Sequence, residues 1–129
     1  GGRIERVAEL KAVLPEGFEI LSGDDPLTID FMKDGACGVV SVASNIIPNV
    51  VSSLVNAMLA GDSAKAESIQ AEYEELLSSL MSLDTNPIPI KSAAALMGFC
   101  SDEIRLPMLP LDSDKVEIVR GLLTKYSLI

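Results

Sequence analysis

Two short stretches of this chain combine residue types that can meet a ligand. Ser22-Gly23-Asp24-Asp25 follows a brief apolar run, so a glycine that lets a ligand approach the backbone precedes two acids able to orient a ligand or a water. The bland alternative makes Asp25 the cap of the helix it precedes and Asp24 a solvated loop acid. The second stretch, Gly38-Val39-Val40-Ser41-Val42 followed by Ala43-Ser44-Asn45, closes an apolar run with small polar residues. Its backbone amides and hydroxyls could face a carboxylate or phosphate. A buried strand followed by a helix cap at Ser44 or Asn45 fits the same letters.

No nucleophile stands out. A Schiff-base lysine needs a desolvated amine, yet Lys91 follows two prolines at a helix start and Lys33 sits near a helix end, where a cation is simply favourable. The other lysines read as solvated, and Tyr73 and Tyr126 read as packing residues on helices. The chain has no histidine, which removes triads, imidazole bases and His metal sites together.

The elements that must position these stretches alternate between helix and strand. Apolar Ile4, Val7, Ala8, Leu10 and Ala12 predict a helix over 3–14, ended by Pro15 and Gly17. A short strand over 18–21, a helix over 25–33 with Pro26 at its start, and a strand over 37–42 follow. The unalternating run Cys-Gly-Val-Val-Ser-Val suits a parallel strand covered on both faces. Two such strands cannot form that sheet alone, so neighbours are expected from elsewhere. From Pro48 the pattern turns helical, with helices expected over 48–60, 63–83, 91–97 and 113–126. An extended apolar connector is expected over 105–110, where residues before proline avoid the helical region. The division is therefore 1–47, strand-helix winding, and 48–129, a helical part.

Composition narrows the function. A net charge of -9, from 10 basic and 19 acidic residues, with no basic cluster, offers no footprint for a nucleic acid. No run reaches the roughly 18 apolar residues of a membrane span, and the start has no signal-peptide layout. Cys37 and Cys100 lie far apart and read as two buried thiols in a reduced, cytoplasmic setting. At 129 residues the chain falls well short of the roughly 250 of a complete α/β barrel.

Four segments, in order and spacing, resemble the later part of the dihydrodipicolinate synthase family. They are 21–25 (Leu-Ser-Gly-Asp-Asp), 38–45 (Gly-Val-Val-Ser-Val with Ser44-Asn45), 86–91 (Asn-Pro-Ile-Pro-Ile-Lys) and 105–110 (Arg-Leu-Pro-Met-Leu-Pro). The resemblance implies an α/β fold, the C-terminal portion of a (β/α)8 TIM barrel with its last two strands, plus a C-terminal helical domain. It also implies an enzyme in which a lysine on the sixth strand forms a Schiff base with pyruvate and the enamine attacks aspartate semialdehyde, with no cofactor. That lysine, the proton-relay tyrosine, a Thr-Thr pair and the aldehyde-binding arginine would all lie upstream of Gly1, so this stretch alone is expected to be inactive. Residue by residue, Val40 matches the strand-eight position whose backbone contacts pyruvate, Gly23 and Asp24 match the pocket-lining end of strand seven, and Ser44 and Asn45 match the loop that shapes the site. Implied partners are further copies, commonly a homotetramer, with domain swapping open to exposed strands. Two other readings stand beside this one: a non-catalytic, self-associating half-barrel module, and a sister pyruvate aldolase such as N-acetylneuraminate lyase.

Overall fold

The computed structural model describes residues 2–129, in two compact units that divide between Glu74 and Glu75. In the first unit the order is α1 (Glu5–Lys11), β1 (Leu21–Ser22), α2 (Thr28–Lys33), β2 (Gly38–Val39), a 3-10 turn (Ala43–Asn45), α3 (Pro48–Leu59) and the start of α4 (Ser63–Ser82). The two strands are parallel, with Leu21 opposite Gly38 and Ser22 opposite Val39. They are much shorter than the apolar runs around them. Among the described residues each has only the other to pair with, so hydrogen bonding defines a strand only where the two run side by side.

Helix α2 lies against both strands and buries Ile29, Phe31 and Met32. One cluster joins Val7 of α1 to Phe31, Met32 and Ala36; another joins Ile29 to Leu54 and Ala57 of α3 and Ala66 of α4. The change in composition near Pro48 is therefore not where this unit ends, because α3 and the first turns of α4 close its core. Proline at the start of α3 costs nothing, since the first-turn N–H groups have no intrahelical partner. Asp62 accepts from the N–H of Lys65 at 3.1 Å and caps α4.

The second unit holds the rest of α4, α5 (Ile88–Leu96) and α6 (Ser113–Lys125). Leu76, Leu80, Val119 and Leu123 are fully buried there, and α5 packs on α6. Helix α5 starts at Ile88, three residues before the expected Lys91, because Pro89 fits the first turn as readily as it would end a helix. Asp112 occupies the N-cap position of α6 without a side-chain capping bond. The 105–110 connector contains a turn at Leu106-Pro107, where an unbroken extended run was expected; that peptide bond is cis, as is Asn86-Pro87. The thiols depart from expectation: Cys100 is exposed and Cys37 only half-buried. No helix among the described residues is long and apolar enough to cross a membrane.

Candidate functional site

The two sequence stretches meet at the C-terminal ends of β1 and β2. Val40 donates its N–H to the carbonyl of Ser22 at 2.8 Å, so the strands stay paired to that point. In a continued parallel ladder of this register, the next donor to the Val40 carbonyl would be the N–H of Asp24. It turns instead to Oγ of Ser22, at 3.2 Å. The Ser22 hydroxyl, fully buried, donates back to the Asp24 carbonyl at 3.0 Å, and that carbonyl accepts a second bond from Oγ1 of Thr28, also at 3.0 Å. The β1 chain thus peels away after Ser22, and the Val40 carbonyl loses its ladder partner.

Asp25 does something other than cap its own helix. It is 5% exposed, and its carboxylate reaches across to the loop after β2. Oδ1 accepts from the Ser41 hydroxyl at 2.5 Å, and Oδ2 accepts from the N–H groups of Val42 and Ala43 at 2.8 and 3.0 Å. The two amides belong to the start of the 3-10 turn, so Asp25 caps that turn from another element. Helix α2 begins at Thr28 with no side-chain cap; the local reading failed because a one-strand pattern cannot show a neighbour's orphan amides. Ser41 extends the network by accepting from the N–H of Ser44 at 2.8 Å, while Asn45 donates to the Val42 carbonyl at 2.9 Å.

Gly23 and Asp24 line one concavity of about 500 Å³, together with Arg3, Arg6, Ile20 and Leu21. Val40 does not line it. It sits at the adjoining strand end and is 67% exposed, with no cover over its side chain. A Cβ built on Gly23 would meet no atom within 4 Å, so the glycine faces open space. None of the six lysines is buried; Lys33 pairs with Glu67 at 2.7 Å, Lys115 with Asp84 at 2.8 Å, and Lys125 with Glu75. Among the described residues the site therefore offers main-chain groups, the Asp24 carboxylate and the firmly held Asp25 carboxylate, and no lysine lines the concavity.

Parallel strands that each lead on to a helix, with polar loops gathered at their C-terminal ends, are an α/β arrangement of the kind that builds active sites from those loops. Residues 1–126 match the model of the dihydrodipicolinate synthetase family. The chain is 37% identical to 4-hydroxy-tetrahydrodipicolinate synthase of Trichlorobacter lovleyi over 128 residues, 99% of this chain and 44% of that one. Among solved structures it resembles dihydrodipicolinate synthase of Aquifex aeolicus (TM-score 0.94, 39% identity, 99% of this chain and 43% of that one). It also resembles the 4-hydroxy-tetrahydrodipicolinate synthase of Methylacidiphilum fumariolicum (TM-score 0.92, 42% identity, 98% of this chain and 42% of that one). The chain belongs to the dihydrodipicolinate synthetase family, and it spans less than half the length of the relatives it matches.

Proposed function

We propose that this chain supplies the closing part of a 4-hydroxy-tetrahydrodipicolinate synthase, the barrel end over 1–47 and the last barrel helix with a helical extension over 48–129. The enzyme so completed condenses pyruvate with aspartate semialdehyde through a lysine Schiff base in a cytoplasmic biosynthetic setting, as a homo-oligomer. The observation that carries the reading is the family match along 1–126, joined to strand ends that leave main-chain groups rather than nucleophiles at the mouth. In this role Val40, Gly23 and Asp24 bind and shape, while the amine comes from another strand. The lysine condenses with the keto carbon of pyruvate and releases water; loss of a methyl proton gives the enamine that attacks the aldehyde.

The test supplies the upstream barrel strands from the Aquifex aeolicus relative, joined ahead of this chain at the matching position. Pyruvate with borohydride should then fix a reduced adduct on one lysine of the upstream part, read by mass spectrometry, and the 129-residue chain alone should gain none. An adduct on the chain alone would overturn the division of labour. No adduct on a folded, completed barrel would overturn the enzyme reading.

A self-associating module is favoured by one observation: Val13, Phe18, Leu21 and Val40 are 77%, 61%, 51% and 67% exposed, around strands that have no outer neighbours among the described residues. Light scattering on the chain alone separates the cases. Open-ended association of the chain alone that gives way to one defined oligomer when the upstream strands are supplied fits a barrel part; a compact monomer of the chain alone counts against any obligate association.

A further inference from the structure

We propose that Ser22 and Asp25 are positioning residues that hold the Val40 carbonyl open to the bound keto acid. The proposal rests on the synthase reading above and deepens it. Val40 is fixed on both sides: its N–H is bonded to Ser22, and the residues after it, Ser41 to Ala43, are held by the Asp25 carboxylate. Between those anchors lies the Val40–Ser41 peptide. Its carbonyl would close the ladder with the N–H of Asp24, were that donor not diverted to the buried Ser22 hydroxyl. Thr28 locks the diversion by donating to the Asp24 carbonyl.

What a freed carbonyl can do follows from its chemistry. It only accepts, so it suits a donor or an electron-poor carbon, and a keto acid joined to an amine presents both, an iminium N–H and its carbon. Fixed before the ligand arrives, the carbonyl needs no reorganisation to meet it. Asp25 and Ser22 themselves are not catalytic residues. The carboxylate already receives three protein donors, and the serine hydroxyl both donates to and accepts from Asp24.

In the completed barrel, Ser22→Ala releases the Asp24 N–H to close on the Val40 carbonyl, and Asp25→Asn loosens the loop that aims it. Each should raise KM for pyruvate roughly tenfold, the size of one lost hydrogen bond to a charged adduct. Ser22→Thr, which keeps the hydroxyl, should restore the parental value. Melting temperatures are measured alongside, because a merely structural role lowers stability and leaves KM unchanged in the folded fraction. Parental KM in both Ser22→Ala and Asp25→Asn, or a loss shared equally by Ser22→Thr, overturns the proposal. If one variant does not fold, the other decides. If the parent barrel traps no pyruvate, the synthase reading fails separately. The carbonyl ¹³C shift of Val40 in the 129-residue chain then decides the positioning: a move toward the hydrogen-bonded range in Ser22→Ala supports it, and an unchanged shift overturns it.

Discussion

Replacing Asp25 should be costly in a graded way that depends on hydrogen bonds rather than on volume. The carboxylate is 5% exposed and accepts three bonds, one from a hydroxyl and two from backbone N–H groups of the next loop. Asp25→Asn keeps one acceptor oxygen for the two amides and presents its NH2 to Ser41, whose oxygen can accept it. The change is then mainly from charged to neutral bonds, about 1 kcal/mol at each of two amides, or roughly 2 kcal/mol. Asp25→Ala strands all three donors, and part of that loss is offset by water, since Ser41 and Val42 are only half-buried. A cost of about 3–5 kcal/mol follows, some 2 kcal/mol beyond the asparagine variant. Either value is large against the ~5–15 kcal/mol stability of an ordinary domain. Urea unfolding of the chain, followed by circular dichroism, measures both. The reasoning is refuted if the asparagine and alanine variants fall within about 0.5 kcal/mol of each other, or if neither departs from the parent by more than that margin.

Two glycines should respond oppositely to alanine. Gly35 has φ of +106°, where an L side chain is strained although the nearby Lys11 ammonium can move aside, so Gly35→Ala should destabilise by roughly 1–3 kcal/mol in the same unfolding assay. Gly23 has neither a positive φ nor a neighbour within 4 Å, so Gly23→Ala should leave stability within about 0.5 kcal/mol while weakening pyruvate binding in the completed barrel. The hydrogen bond from Lys115 holds the Asp84 carboxyl below its ordinary 3.8, helped by the N–H of Thr85, and Asp84 in turn raises the Lys115 ammonium above 10.5. The pair's contribution is therefore full between those ordinary values. It is lost as pH falls through the lowered carboxyl value or rises through the raised ammonium value, and Asp84→Asn should flatten both arms of a stability-against-pH profile.

Most helices were legible because their signals are local. Apolar spacing, Pro48 at a helix start and the Gly61-Asp62 break fix α3 and α4 to within a residue or two. Strand lengths were not legible: the runs over 18–21 and 37–42 carry the apolar character of strands, but pairing requires a neighbour, and only Leu21 of the first run and Gly38 and Val39 of the second find one, with Ser22 paired just beyond the first run. The same limit hid the 3-10 turn at Ala43–Asn45 and the work of Asp25. Ser44 and Asn45 looked like caps of the following helix, whereas the capping group comes from 18 residues earlier and across the sheet. Ser22, though part of the candidate stretch over 22–25, shows no role of its own in the sequence, because a serine at a strand end carries no distinctive spacing. Its use appears only once the register assigns the next ladder donor and that donor is found facing the wrong way.

Under the synthase reading, that register also explains how main-chain groups would take part in chemistry at a barrel mouth. Parallel strands bond in slanted, evenly spaced steps, so each step taken at the C-terminal end consumes one carbonyl that a ligand might otherwise use. Ending the ladder one step early, with a side-chain hydroxyl taking the donor, leaves the last carbonyl at the rim and keeps both its neighbours bonded. An exposed carbonyl in a flexible loop would offer the same group without a fixed direction. The buried Asp25 supplies that direction from the opposite strand, which is why a carboxylate with both oxygens bonded to the neighbouring loop lies one residue from the pocket-lining Asp24. Adjacent acids at a strand end thus divide the labour: one faces the concavity, and the other builds the frame.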